Sequence, residues 1–149
     1  MGMSTHHIDV HATSPAPVDA VWALLADATT WPAWSDFASA EIERPGADAP
    51  QGVGSRRRFA YGRTRSYEEI VAFEPPRHVA YTLLSGLPLR DYRGDVTLTP
   101  NADGGTDIHW QSQFRPKIPG TGAVVVKKLG RFIQDTADAL ARAASQDPA

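Results

Sequence analysis

The order of the secondary-structure patterns along the chain is the feature that most restricts its fold. An alternating segment near the start leads through a Pro-initiated helical pattern to six further strand-like segments, and one long amphipathic helical pattern follows at 118–144. A sheet made of such strands cannot bury its apolar side alone, so another layer must cover it. The last helical pattern has an apolar face wide enough to do so. The order therefore predicts a curved sheet gripping one long helix, with space between them.

Alternation of apolar and polar residues predicts the strands. In the first one, residues 6–13, the side chains of Ile8, Val10 and Ala12 share one side. The connections between the strands are short and rich in Gly, Pro and Asn, which favours an antiparallel meander, because parallel strands need longer crossovers. The other strands are predicted at 40–44, 53–61, 65–73, 78–84, 92–99 and 106–115.

Helical spacing predicts two short helices after the first strand. Ser14-Pro15 is typical of an N-cap followed by proline in the first turn. A second short helix is expected to begin at Thr30, with Trp31, Trp34 and Phe37 as its apolar contacts. The combination of a single antiparallel sheet of about seven strands, two short helices and one long helix predicts an α+β fold.

Composition is that of an ordinary globular protein of 149 residues with a formal charge of −2. The absence of cysteine excludes disulfides, thiolate metal sites and thiol catalysis. No apolar run approaches the roughly 18 residues that a membrane span needs, and no signal-peptide pattern opens the chain. We therefore expect a cytoplasmic protein without stable membrane insertion, made of a single domain at 6–144 with tails at 1–5 and 145–149.

The chain resembles the START-like (SRPBCC) superfamily of helix-grip proteins, and most closely its polyketide cyclase/dehydrase and lipid transport branch. The resemblance covers roughly residues 6–144. It implies a ligand-binding domain with a cavity between the sheet and the C-terminal helix. The motifs that carry it are Pro17-Val18-Asp19-Ala20-Val21-Trp22, Trp31-Pro32-Ala33-Trp34, Val53-Gly54-Ser55-Arg56 and Phe73-Glu74-Pro75-Pro76-Arg77-His78-Val79.

Strand and helix periodicity predict which side chains face that cavity. Ile108, Trp110, Ser112 and Phe114 share one side of the last strand, and this apolar set is expected to face the helix. A groove of this kind suits a small, largely hydrophobic ligand. The expected ligand-binding residues are Arg57, Phe59, Tyr61, Glu68, Tyr81, Leu83, Trp110, Phe114, Leu129, Phe132 and Ile133.

One charged pair on this face depends on the length of a hairpin loop. If Gly62-Arg63 is a two-residue turn, Tyr61 pairs with Thr64 and Arg57 falls opposite Glu68, inside the groove. A three-residue loop would reverse the parity and send both charges to solvent. The pair, if formed, could orient a polar part of a ligand or perturb a proton equilibrium.

Other site chemistries find less support. The Arg56-Arg57-Arg58 run could suggest nucleic-acid binding, but alternation divides these side chains between two faces and the net charge is negative, so no nucleic acid is expected. His7, Asp9 and His11 share a strand face, yet a third ligand with supporting partners is not evident, and no metal is predicted. No cofactor motif and no catalytic motif is present.

Three functions remain open at this point. The first is binding or transport of a small hydrophobic or amphipathic molecule, lipid- or polyketide-like. The second is a cyclase, aromatase or dehydratase that uses the same cavity, and the third is a regulatory or toxin-like interaction module with a filled cavity. Leu87, Leu89 and Ile118, in loops at one rim, are candidates for a gate. The catalytic residues, the ligand and the oligomeric state are not assigned.

Overall fold

The structure, a computed structural model, describes residues 4–146. Parts of the two predicted tails, residues 1–3 and 147–149, lie outside the described residues. The strands are β1 (His6–Ser14), β2 (Ser39–Arg44), β3 (Arg56–Tyr61), β4 (Thr64–Glu74), β5 (His78–Ser85), β6 (Leu89–Pro100) and β7 (Thr106–Pro116). The helices are α1 (Val18–Ala26), α2 (Trp31–Trp34) and the long α3 (Gly122–Ala144), with a 3-10 turn at Ala28–Thr30.

The seven strands form one antiparallel sheet in the order β1-β7-β6-β5-β4-β3-β2. Strands β2 to β7 follow one another as a meander, while β1 crosses to pair with β7. Helix α3 packs against the inner face, which confirms the predicted α+β helix-grip fold. The core between them is apolar, and Val96, Ile108, Ala137 and Leu140 are at most 1 % exposed.

Helix α1 begins later than its sequence pattern predicts. Its N-cap is Pro17, which makes no side-chain cap hydrogen bond. The predicted cap, Ser14, is instead the fully buried last residue of β1, and its hydroxyl donates to the carbonyl of Ala141 in α3. The same hydroxyl accepts a hydrogen bond from the backbone N–H of Ala16. Ser14 therefore links the end of β1 to the end of α3.

Two local features of the sheet position the site. Gly62-Arg63 is the two-residue turn between β3 and β4, with Gly62 at φ +55°, so Tyr61 pairs with Thr64 and Arg57 pairs with Glu68. The predicted register is confirmed. In β6 the pairing register shifts between Arg90 and Arg93, near the start of the strand, and Asp91 within this irregularity has φ +52°. No helix within residues 4–146 is long and apolar enough to span a membrane.

Candidate functional site

A cavity of about 170 Å³ lies between the inner face of the sheet and helix α3. Strands β3 to β7 supply its floor, and α3 and the segment around α2 supply its roof. Its wall is mainly aromatic and aliphatic, with a few hydroxyl groups and one carboxyl group. The lining residues are Trp31, Phe37, Phe59, Tyr61, Thr64, Ser66, Glu68, Tyr81, Leu83, Leu87, Tyr92, Trp110, Leu129, Phe132, Ile133 and Thr136.

The structure brings together all the residues predicted to face the groove except Arg57 and Phe114. Phe114 is fully buried at the end of β7, where its ring packs against the rings of His6, at 5.7 Å between centroids, and Tyr92, at 6.5 Å. It belongs to the packed core beside the cavity. Arg57 is buried outside this set of lining residues, and its side chain contacts Glu68, which lines the cavity.

Arg57 and Glu68 form a buried ion pair across the β3–β4 hairpin. The Nη2 and Nε atoms of Arg57 lie 3.0 and 3.1 Å from the same carboxylate oxygen, Oε1 of Glu68. Glu68 Oε2 accepts no hydrogen bond from any of residues 4–146. Burial raises the pKa of Glu68, while the charge and the hydrogen bond of Arg57 oppose that rise. The carboxyl group is therefore easier to protonate than an exposed glutamate.

The guanidinium of Arg57 is also surrounded by aromatic rings. Its Cζ lies 5.1 Å from the ring centroid of Trp31, 4.9 Å from that of Phe59 and 5.2 Å from that of Tyr81. Each distance falls within the roughly 6 Å at which a cation is attracted to the face of an aromatic ring. Because the guanidinium contacts these rings and Glu68, its charge stabilises the packing of the cavity wall. The same contacts separate that charge from the cavity.

A chain of hydrogen bonds crosses the floor of the cavity from Trp110 to Ser112. The indole N–H of Trp110 donates to the hydroxyl of Tyr81 at 2.9 Å. The Tyr81 and Tyr92 hydroxyls lie 3.4 Å apart, and Tyr92 bonds to the Ser112 hydroxyl at 2.8 Å. Burial raises the pKa of Tyr81 well above its usual value and that of Tyr92 to about 12. Both phenols are therefore neutral hydrogen-bonding groups at physiological pH.

Sequence reasoning did not include several lining residues. Tyr92 shares the alternation that places Gly94, Val96 and Leu98 on the inner face of β6, so a signal for it existed. Trp31 and Phe37 were predicted only as local contacts of α2, but their rings reach the sheet, at 4.9 and 4.8 Å from the ring of Phe59. No strand or helix period predicts that approach, since it depends on the path of the chain between α1 and β2.

The rim of the cavity is formed by the β3–β4 hairpin, the β5–β6 loop and α3. Tyr61 is 46 % exposed, and its ring packs edge-on against that of Phe132, with 5.0 Å between centroids. Of the gate candidates, Leu87 lines the cavity, Leu89 is buried at the start of β6, and Ile118 is 55 % exposed. Of the three gate candidates, Leu87 is therefore the one that lines the cavity.

The outer face of the sheet carries a second cluster of polar groups. Asp9 and His11 of β1 meet His109 of β7, and the possible metal-ligand atoms of these three residues all lie within 4.8 Å of one another. His7, which shares the β1 face in the sequence pattern, is outside this group. The strand pattern could not identify His109 as the third member, because the β1–β7 pairing joins residues 100 positions apart.

Comparisons with known proteins agree with this architecture. The profile of the family described as "Polyketide cyclase / dehydrase and lipid transport" matches residues 5–145. A START superfamily protein from Mycobacterium smegmatis is 15% identical, with a TM-score of 0.82 over 95% of this chain and 98% of that chain. A protein from Thermobifida fusca studied by solution NMR is 20% identical, with a TM-score of 0.78 over 93% and 92% of the two chains.

A third similar structure is Ara h 8.0201, which is 18% identical with a TM-score of 0.73 over 95% of this chain and 98% of that chain. At such identities these structures support the fold alone. No significant match to this sequence occurs among curated proteins.

Proposed function

This chain belongs to the polyketide cyclase/dehydrase and lipid transport family, and we propose that it binds a compact hydrophobic or amphipathic molecule in the cavity between its sheet and helix α3. The observation that carries the proposal is the composition of the cavity wall. Aromatic and aliphatic side chains form most of it, and a few convergent polar groups from Glu68, Tyr81 and Tyr92 are arranged on one side. Small-molecule sites typically combine these two features.

The size of the cavity favours a compact ligand. An engineered apolar cavity of about 150 Å³ accommodates benzene, and the cavity here measures about 170 Å³. One or two small rings, or a short chain, match that space in this conformation, whereas a long acyl chain requires the rim to open. A polyketide-like fragment or another small cyclic metabolite therefore fits better than a full-length lipid.

The charges around the cavity favour a ligand without a carboxylate at the buried end. None of the described residues that line it is a lysine or an arginine, and the guanidinium of Arg57 is already paired with Glu68. Burying an unpaired anion in an apolar site is strongly unfavourable. A ligand hydroxyl would instead donate to Glu68 Oε2, and a ligand carbonyl would accept from a tyrosine hydroxyl.

Native mass spectrometry of the freshly purified full chain tests the proposal. We expect an added mass that leaves on denaturation, and we expect the stripped protein to bind 1-naphthol, a neutral two-ring probe, more tightly than palmitate. Leu83→Trp fills the cavity and should abolish binding of 1-naphthol. Leu84→Trp is the matched control, because Leu84 is the next residue of β5 and is 46 % exposed. Equal binding by the two variants would refute a ligand site in this cavity.

One observation favours an enzymatic use of the same cavity. Glu68 combines a raised pKa with a place in the wall, and a carboxyl group of that kind can exchange protons with a bound molecule. A cyclase or dehydratase would therefore lose turnover in Glu68→Gln, whereas a carrier would keep its affinity for a neutral ligand. The interaction-module alternative predicts a filled cavity and gains no support from the space found here.

A further inference from the structure

The outer face of the sheet carries a cluster that neither the fold nor the cavity requires. On β1, the side chains of Asp9 and His11 point to the same face, two residues apart, and His109 is the direct cross-strand partner of His11 on β7. The two imidazole rings stack, with 4.3 Å between centroids and 9° between planes. Two nitrogen ligands and one oxygen ligand are thus held at adjacent positions by the sheet register.

The three side chains already converge on one point. Asp9 Oδ1 lies 2.7 Å from His109 Nε2 and 3.1 Å from His11 Nε2. Within residues 4–146, no lysine or arginine lies within 4.0 Å of the Asp9 carboxylate, so the two imidazoles are the only basic groups beside it. The atoms that make these close contacts are the same atoms that would bind a cation.

We propose that Asp9, His11 and His109 bind one divalent transition-metal ion of the Zn²⁺ type on the outer face of the sheet. Imidazole nitrogen and carboxylate oxygen are both ordinary zinc ligands, at about 2.0–2.2 Å from the ion. Two ligands of one tetrahedral ion are then roughly 3.4 Å apart, so the Oδ1–Nε2 distances of 2.7 and 3.1 Å would each lengthen by less than about 1 Å when the ion binds. His11 is 71 % exposed at its side chain, so its ring is free to rotate into position.

A further contact orients the least exposed ligand. Gln111 lies opposite Asp9 on β7, and its Nε2 is 3.3 Å from His109 Nδ1. Metal-bound histidines usually have such a partner on the second ring nitrogen, and it fixes the ring orientation. When the metal occupies Nε2, Nδ1 carries the proton and donates a hydrogen bond to the amide oxygen of Gln111, after that amide has rotated.

The bound ion would connect the edge strand β1 to its neighbour β7. Three protein ligands leave a fourth tetrahedral position open to solvent, which a water molecule fills. Cations that prefer all-oxygen sites, such as Mg²⁺ and Ca²⁺, are poorly matched to two imidazoles. The site is therefore expected to select Zn²⁺, Co²⁺, Ni²⁺ or Cu²⁺ over Mg²⁺ and Ca²⁺.

Isothermal titration calorimetry of the tag-free full chain with Zn²⁺ alone tests this site. We expect one ion per chain, and a loss of affinity in His109→Gln larger than the roughly 10–100-fold that removal of an outer partner costs. His7→Gln is the matched control, because His7 lies on the same face of β1 outside the cluster, and it should keep wild-type affinity. Asp9→Asn should weaken binding in the same direction as His109→Gln.

A second readout separates the proposed geometry from loose surface binding. Co²⁺ in a tetrahedral site gives visible d–d absorption, and Zn²⁺ should displace it in the wild type and in His7→Gln. No Zn²⁺ binding to the wild type, or equal binding by wild type and His109→Gln, would overturn the proposal. Circular dichroism of each variant confirms that the sheet is intact, and a cavity ligand leaves the result unaffected because the two sites lie on opposite faces.

Discussion

Gly94 sets how closely the ring of Tyr81 can lie against the sheet, and Gly94→Ala is the substitution that tests this. The two residues are direct cross-strand partners on β6 and β5. A Cβ added at Gly94 would lie 2.5 Å from the Tyr81 hydroxyl oxygen, whereas ordinary contacts begin at 3.4 Å. The tyrosine ring must therefore move away from Gly94 by at least about 0.9 Å, the difference between those distances, because ring atom Cζ lies closer still.

The expected loss of stability follows from that movement. Trp110 donates to the Tyr81 hydroxyl at 2.9 Å, and we expect a ring shift of this size to break that hydrogen bond. A buried donor without a partner costs about 1–3 kcal/mol, and overpacking a core costs about 1–3 kcal/mol more. Replacing glycine by alanine inside a strand stabilises the folded state by only about 0.5–1 kcal/mol. We expect a net destabilisation of about 1–5 kcal/mol, which is the two costs less the gain.

Urea unfolding of the wild type and Gly94→Ala measures this change, with binding of 1-naphthol as a second readout that should weaken. Gly130→Ala is the matched control, because Gly130 lies inside α3 and an added Cβ meets only Ile8 Cγ2, at 3.7 Å. That variant should be stabilised by up to about 1 kcal/mol. A Gly94→Ala protein as stable as the wild type, with the indole N–H resonance of Trp110 unchanged, would refute the reasoning.

Two further substitutions test buried and half-buried charges. Arg57→Met should lower the free energy of unfolding in urea by about 3–5 kcal/mol, because it leaves Glu68 buried without its partner. Adding Glu68→Leu should restore most of that loss. A double variant as unstable as the single one would contradict this. For His78, partial burial lowers the pKa, but hydrogen bonds and charges of Glu74 and Asp95 outweigh it and the net shift is upward. A raised pKa in the folded state adds stability that is fully present below about pH 6.5 and is lost as the pH rises through the folded pKa. The stability difference between wild type and His78→Gln should therefore shrink from about pH 6 to about pH 9, and a difference that grows with pH would show that the sign is wrong.

The hairpin at Gly62-Arg63 explains why part of the site could be predicted from the sequence. Once the turn has two residues, the pairing of Arg57 with Glu68 and the inward direction of Phe59 follow from the period of the strand alone. The long apolar stripe of α3 likewise placed Leu129, Phe132 and Ile133 on the cavity wall. Local periodicity was sufficient wherever one element determined the direction of a side chain.

Features that depend on the packing of two elements far apart in the sequence could not be predicted from local periodicity. The aromatic surroundings of Arg57 include Trp31, whose position is fixed by its indole hydrogen bond to the Leu25 carbonyl and by packing on β3. Phe114 has the right parity for the cavity, but neighbouring rings fill its end of the sheet. Ser14 has the residue type of a helix cap, yet a buried bond to Ala141 uses its hydroxyl. In each case tertiary packing decided between options that the local pattern left equal.

The crossing of β1 to β7 has a consequence for the order in which the molecule is made. Asp9 and His109, which meet across this pair, are 100 residues apart, a distance that a ribosome covers in roughly 5–20 s. Strands β2 to β6 can pair with their neighbours as they emerge from the ribosome. Strand β1 stays unpaired, with Ile8 and Val10 uncovered, until β7 has been synthesised. Because α3 follows all seven strands in the sequence, the cavity gains its final wall only after the whole sheet has been synthesised. The newly made chain therefore passes through a stage at which the first strand is open to chaperones and to other chains.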